Sequence, residues 1–132
     1  MKIIVCVDDD YGMLFNNRRV SRDKAVTEKI YEIAKDNKLW IGHFSEKLFE
    51  TDVTVDDDML EKAGKEDFCF VENMQTEAFK DRADEIYLFK WNRRYPADLH
   101  FDRKILDVYH CAETEEFAGN SHEKITLERW TR

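Results

Sequence analysis

The sequence contains few of the residues that interrupt or divide a chain. Its 132 residues include one proline, four glycines and three cysteines, and no repeat or low-complexity tract sets one part apart from another. A chain of this length buries roughly two thirds of its unfolded surface when it folds as one unit. We therefore predict a single domain over residues 1–132.

Long apolar runs are also missing. No stretch approaches the roughly 18 apolar residues that a membrane span requires, and the start MKIIVCVDDD has no long apolar segment before its acids. We predict a soluble protein that is not exported and has no membrane partner. An odd number of cysteines, with Cys6 and Cys69 inside apolar strand-like runs, favours a reducing cytoplasm over a disulfide framework.

Positive charge is in short supply, since 21 basic residues face 29 acidic ones and the net charge is -8. A field of that sign repels nucleic acid, so no nucleic-acid partner is predicted. The four histidines stand singly, without HxH, HExxH or CxxC spacing, and no metal site is predicted. The His-x-His-x-Asp-His signature of ribonuclease Z is absent too, which argues against a metal-dependent nuclease.

Three consecutive acids, Asp8 to Asp10, follow the first apolar run. Acids at strand ends hold Mg²⁺ in some proteins, because hard cations prefer oxygen ligands. The next strand, LWIGH, ends without a second acid that could complete such a site. A solvated loop is the favoured interpretation.

The chain does contain apolar strands that alternate with amphipathic helices. KIIVCV (2–7) is typical of a central strand buried on both faces of a parallel sheet. Ser21 can cap a helix over about 22–35, in which Val26, Ile30 and Ile33 recur at helical spacing. Further strands are predicted at 38–42, 67–73 and 85–91, and further helices at 43–50, 56–64 and 74–84.

After residue 104 the helical pattern stops. Residues 105–114 and 122–130 are predicted as two long strands that form an antiparallel hairpin. The predicted fold is therefore α/β, with a central, mostly parallel sheet, antiparallel C-terminal strands and flanking helices.

Four segments in order resemble the dihydrofolate reductase family. A first strand leads into GM, an Asn-rich loop and the SRD that opens a helix, and LWIGHFSEKLF resembles that family's strand followed by a Gly-Arg-x-Thr-x-Glu-Ser turn. EIYLFKWNRRYPADLHF is similar to the family's strand with its acid-x-x-Phe element, and NSHEKITLERW to its last strand. The resemblance covers nearly the whole chain and implies a dihydrofolate reductase-like fold.

The resemblance implies a ligand site around Asp23. This acid would anchor a pterin-like ring and relay a proton, from a position in a concavity beside the end of the first strand. An acid in a first helical turn also simply favours the helix dipole, and both interpretations stay open. The predicted catalytic residue is Asp23, and the predicted ligand-binding residues are Cys6, Met13, Arg18, Arg19, Arg22, His43, Ser45 and Phe89.

The chain departs from the family where the nicotinamide cofactor binds. The family's phosphate-binding Arg is replaced by His43, and its double glycine by VEN, which places Glu72 where phosphate would lie. Phe89 stands where the family has a threonine that supports the acid. No cofactor is therefore expected, and NADPH belongs to an alternative in which its contacts have moved.

Two basic clusters, 18–24 and 90–94, are predicted on the same rim of the sheet, where they could receive an anion or be two solvated loops. Three functions stay open. The first is a compact protein that binds a small planar or anionic ligand without ordinary NADPH-dependent turnover. The second is an active NADPH-dependent dihydrofolate reductase, and the third is a non-catalytic interaction module.

Overall fold

The computed structural model describes all residues, Met1–Arg132. Its α-helices are α1 (Lys24–Ala34) and α2 (Met59–Lys62), and 3-10 helices cover His43–Leu48, Thr76–Ala78 and Arg103–Val108. The ten strands are β1 (Lys2–Val7), β2 (Gly12–Phe15), β3 (Arg18–Arg19), β4 (Leu39–Ile41), β5 (Thr54–Val55), β6 (Phe68–Phe70), β7 (Glu85–Lys90), β8 (Leu99–His100), β9 (His110–Phe117) and β10 (Ile125–Thr131).

Seven strands form one mixed sheet in the order β5-β4-β6-β1-β7-β10-β9. The first five in this order run parallel, while β10 is antiparallel to both β7 and β9. The prediction of an α/β fold with a mostly parallel sheet and antiparallel C-terminal strands is thus confirmed.

Strand β1 lies in the middle of this sheet because its side chains are apolar on both faces. Ile3, Val5 and Val7 join the core on one face, and Ile4 joins the core on the other face together with Val26 of α1. All four β1 side chains are fully buried. This double burial explains the continuous apolar run that predicted the strand.

Helix α1 begins later than predicted and has a different cap. Asp23, not Ser21, is the N-cap residue, with extended backbone at φ -155° and a side chain that accepts a hydrogen bond from the N–H of Ala25 at 2.8 Å. The hydroxyl of Ser21 lies instead 2.9 Å from His122. A distant contact therefore removes Ser21 from the capping role that its local position suggests.

Two predicted elements on the C-terminal side are wrong in type. The helix expected over 74–84 is only a 3-10 turn at Thr76–Ala78, whose Thr76 hydroxyl accepts from the N–H of Asp102. The strand expected over 105–114 begins only at His110, because the residues before it form the 3-10 helix Arg103–Val108, capped by Asp102. Helix α2 is also shorter than the predicted 56–64.

A second, antiparallel sheet with the order β3-β2-β8 was not predicted. Asn16 and Asn17 form the two-residue turn between β2 and β3, and both have left-handed backbone, at φ 50° and 60°. Two successive positive φ values are typical of a type I′ hairpin turn, which Asn tolerates well. No helix has both the length and the apolar character needed to cross a membrane.

Candidate functional site

The carboxylate of Asp23 is enclosed by residues from the other end of the chain. Its Oδ1 accepts hydrogen bonds from the N–H groups of Ala25 and Asn120, both at 2.8 Å. Its Oδ2 accepts from the N–H of Ser121 at 2.8 Å and lies 2.8 Å from His122 Nδ1. The side chain is fully buried and its oxygens face the loop before β10, while residue 23 is also part of the lining of a large groove along α1.

These donors determine the charge of Asp23. Burial alone would raise the pKa of this carboxyl group, but the N–H groups of Asn120 and Ser121, together with His122, hold its pKa well below the usual range. Asp23 is therefore a carboxylate at any ordinary pH. As a carboxylate it can only accept, so His122 Nδ1 must be the donor in their contact.

The other ring nitrogen of His122 points to a pair of hydroxyl groups. Its Nε2 lies 2.9 Å from Ser21 Oγ and 3.1 Å from the hydroxyl of Tyr95, and the Tyr95 hydroxyl donates to Ser21 Oγ at 3.2 Å. The indole of Trp91 stacks on the imidazole with 4.8 Å between ring centroids. The result is a continuous chain from Asp23 through His122 to Ser21.

A second, partly buried polar cluster lies just after the end of β6. Glu72 accepts from Arg19 Nε at 2.8 Å and Nη2 at 2.9 Å, and from the hydroxyl of Ser45 at 2.7 Å. Arg19 also donates to the carbonyl of Phe44 at 3.2 Å. The hydrogen bond to Glu72 raises the pKa of Arg19, which keeps this ion pair charged.

The space beside these two clusters is small. A cavity of about 20 Å³ has Cys6, Ser21, Glu72 and Trp91 among its lining residues. We call it the inner cavity. A neighbouring cavity of about 10 Å³ is lined by Cys6, Met13 and Arg19, among others. Since small-molecule sites usually enclose about 300–1,000 Å³, neither holds a pterin-like ring.

A larger space lies along α1. It has a volume of about 710 Å³ and is lined by the cations Arg22, Lys24 and Lys47, the acids Asp23, Glu28 and Glu50, the ring of Tyr31 and residues of the loop before β10. We call it the α1 groove. None of its three cations takes part in an ion pair within the chain. Their charges are available to a bound anion.

The remaining predicted site residues lie apart from Asp23. Arg18 is exposed on β3. His43 is exposed at the start of its 3-10 helix and binds Asp57, through its N–H at 2.9 Å and its Nδ1 at 3.0 Å. Phe89 is fully buried in β7, where it packs edge-on against Phe117 in the core.

The two basic clusters do not form one open rim. Besides Arg19, Lys90 binds Glu128 at 3.3 Å and Arg94 binds Asp10 at 3.1 Å, while Arg93 donates to the carbonyl of Ser121. Acidic neighbours pair with three of the seven cations in the two clusters, Arg19, Lys90 and Arg94. Only Arg22 and Lys24 of the predicted rim line the α1 groove.

The acids after β1 have a structural role in this fold. Asp8 is 1% exposed and accepts from the N–H groups of Asp10, Gly12 and Tyr95, at 2.9, 2.6 and 2.9 Å. No group of three or more potential metal ligands occurs in the structure.

His122, Tyr95 and Glu72 complete the two clusters, but the sequence did not single out the first two as site residues. His122 lies 99 positions from Asp23, and Tyr95 lies 74 positions from Ser21. No local motif connects residues so far apart. The one local signal was Gly119, where a Cβ would come within 2.7 Å of Asp23 Oδ2.

Comparison with solved structures agrees with the architecture. The fold is similar to that of dihydrofolate reductase from Enterococcus faecalis complexed with NADP(H) and RAB-propyl, with a TM-score of 0.68 over 99% of this chain and 95% of that one. The two sequences are 13% identical, so the likeness establishes the dihydrofolate reductase-like fold. No protein-family model matches the sequence. No curated protein matches it either.

Proposed function

We propose that this chain is a single-domain, cytoplasmic protein that uses a dihydrofolate reductase-like fold to bind a small planar anion, without NADPH-dependent reduction of dihydrofolate. The observation that carries this proposal is the cluster of Arg19, Ser45 and Glu72. Ser45 and Glu72 belong to the two segments in which the resemblance implies cofactor contacts.

The residues present do not fit a nicotinamide dinucleotide. A phosphate needs donors and cations around it. Here the partly buried carboxylate of Glu72 accepts hydrogen bonds from the hydroxyl of Ser45 and the guanidinium of Arg19, while His43 binds Asp57. These three side chains therefore already serve acids of this chain.

The position of Asp23 supports the same conclusion. An acid that anchors a pterin ring must offer its oxygens to the ring's N–H groups. Both oxygens of Asp23 already accept from the backbone around Asn120 and Ser121, and the inner cavity beside the end of β1 has a volume of only about 20 Å³. Asp23 therefore stabilises the loop before β10 in this structure.

The α1 groove is the better binding place. Its volume is that of an ordinary small-molecule site, Tyr31 offers an aromatic wall, and Arg22, Lys24 and Lys47 supply charge without internal partners. A flat ligand with carboxylate or phosphate groups suits these features, because guanidinium and ammonium groups bind such anions through charge-assisted hydrogen bonds.

Calorimetric titration tests the binding. Dihydrofolate and AMP are both planar anions, and we expect saturable heat with at least one of them. Arg22→Ala and Lys47→Ala should each weaken that binding about tenfold, the effect of one charge-assisted contact. Lys65→Ala removes an exposed cation outside the groove and should change nothing. Absence of heat with both probes would contradict the binding proposal.

A turnover assay distinguishes this proposal from the alternative, an active reductase whose cofactor contacts have moved. We expect no oxidation of NADPH in the presence of dihydrofolate, at any protein concentration that permits the assay. NADPH oxidation that is lost in Asp23→Asn would establish the alternative.

A further inference from the structure

Ser21, His122 and Asp23 form a hydrogen-bonded chain that the proposed binding function does not use. From its geometry, we propose that Ser21 is a nucleophile, activated by His122, that hydrolyses esters between a small acyl group and an anionic alcohol. The alcohol half of this substrate rests on the proposed function of the α1 groove.

Ser21 and His122 are in contact as a nucleophile and a base would be. Ser21 Oγ lies 2.9 Å from His122 Nε2, within the reach that proton transfer requires. The Tyr95 hydroxyl lies 3.2 Å from Ser21 Oγ and 3.1 Å from His122 Nε2, and when it donates to Ser21 Oγ the Ser21 proton is directed at Nε2. Because the Tyr95 donor faces Oγ, it also stabilises negative charge that develops there.

Asp23 orients the imidazole of His122. Asp23 Oδ2 accepts from His122 Nδ1 at 2.8 Å, so that in the neutral imidazole Nε2 is the free acceptor. Backbone N–H groups of Ala25, Asn120 and Ser121 hold Asp23 in place, and Trp91 stacks on the imidazole. The imidazolium that forms during reaction would face a carboxylate that stays ionised.

Ser21 lies beside two adjoining spaces, the inner cavity and the α1 groove. Ser21 lines the inner cavity, whose volume of about 20 Å³ admits one methyl-sized group. Arg22, Thr27 and Leu48 line both the inner cavity and the α1 groove, so the two spaces adjoin. The methyl group of an acetyl ester fits the inner cavity, and an anionic leaving group can lie in the groove beside Arg22, Lys24 and Lys47.

The reaction needs only the ester and water. Ser21 Oγ attacks the acyl carbon as its proton passes to His122 Nε2. The ester C–O bond then breaks, and the leaving oxygen takes that proton. Water, deprotonated by Nε2, next attacks the acyl-serine, the bond to Oγ breaks, and Oγ regains the proton. The products are a carboxylic acid and an alcohol.

The test uses the full chain and p-nitrophenyl acetate, a small neutral acetyl ester. We expect release of p-nitrophenolate together with transient acetylation of the protein, which peptide mass spectrometry places on Ser21. Ser21→Ala should remove the acetyl label, and Ser21→Ala and His122→Gln should each lower the rate at least about 100-fold. His110→Gln changes an exposed histidine on β9 and should keep the full rate.

Labelling of the wild-type chain is informative even if a variant fails to fold. An unlabelled Ser21 in folded wild-type protein, or an unchanged rate in folded Ser21→Ala, overturns the proposal and leaves the chain of hydrogen bonds with a purely structural role. The two proposals fail separately, because acetylation of Ser21 by the neutral ester reports on hydrolysis alone, whereas heat with dihydrofolate or AMP reports on binding in the α1 groove.

Discussion

His122 contacts Asp23 twice, through its backbone N–H at 3.2 Å and through its ring Nδ1 at 2.8 Å, across 99 positions of sequence. With the N–H groups of Asn120 and Ser121, these contacts fix the segment before β10 to the start of α1. A buried carboxylate with this many donors stabilises the fold and orients the histidine at once. The following predictions separate these effects.

Asp23→Asn should destabilise the protein at neutral pH by about 3 kcal/mol, because the amide cannot accept from all the donors that the carboxylate satisfies. The folded-state pKa of Asp23 is depressed, so its contribution is fully present above its unfolded pKa of about 3.9 and is lost as the pH falls toward the folded pKa. The free energies of unfolding of wild type and Asp23→Asn, measured with urea between pH 7 and pH 3, should therefore differ less at pH 3 than at pH 7.

The control for this measurement is Asp107→Asn, which changes an exposed acid that makes no side-chain hydrogen bond or ion pair. Its stability should follow the wild-type curve over the whole pH range. If the free energies of unfolding of wild type and Asp23→Asn differ by the same amount down to pH 3, the charge of Asp23 does not stabilise the loop before β10.

Gly119→Ala should destabilise the protein by about 1–3 kcal/mol, as is usual when a close-packed site receives an extra group. A Cβ at this position would lie 2.7 Å from both Asp23 Oδ2 and the carbonyl oxygen of His122. Gly64→Ala is the matched control, since its Cβ would come no closer than 3.4 Å to Asp67. Thermal melting of the two variants side by side measures the difference, and equal melting temperatures would contradict the prediction.

Arg19→Ala should lower the free energy of unfolding by about 2 kcal/mol, because it leaves the partly buried carboxylate of Glu72 without its cation. Arg18→Ala removes the neighbouring, exposed arginine of β3 and should leave stability within about 0.5 kcal/mol of wild type. Urea denaturation checks both. Similar losses in the two variants would mean that the ion pair with Glu72 contributes little.

Only one thiol should react rapidly with a disulfide reagent such as DTNB. Cys111 is exposed on β9, whereas burial raises the pKa of Cys69 to about 12 and that of Cys6 well above its usual range. The thiolate is the reactive form, so Cys6 and Cys69 should react only as the chain unfolds. Release of one equivalent of thionitrobenzoate in buffer and three in urea is the expected result, and Cys111→Ser should abolish the rapid equivalent.

The sequence predicted the parts of the fold that depend on local pattern. The apolar run 2–7 gave β1, the helical spacing of Val26 and Ile30 gave α1, and the alternation after residue 122 gave β10. Residues 105–108 were wrongly predicted as strand, because a short, mostly apolar segment is compatible with either a strand or a helical turn. The burial of Leu106 and Tyr109, three positions apart, shows the helical spacing.

The site was harder to predict because its contacts are distant in sequence. The SRD segment placed Asp23 at the start of α1, but nothing near it indicated that Asn120 and Ser121 would satisfy its oxygens. Glu72 was identified as an obstacle to phosphate, while its pairing with Arg19, 53 positions away, follows only from the hairpin at Asn16 and Asn17. That pair of asparagines was the local signal for β2 and β3.

The place of β10 in the sheet also bears on the order in which the molecule assembles. This strand lies between β7 and β9 in the sheet and follows the loop that encloses Asp23. Ribosomal synthesis must therefore pass residue 131 before the sheet and the surroundings of Asp23 are complete. A nascent chain that has only its first hundred residues exposes the β7 edge and leaves Asp23 without its distant donors. Such long-range pairing slows folding. Both the imidazole and the groove wall therefore reach their final positions in a late step, after synthesis of this part of the chain.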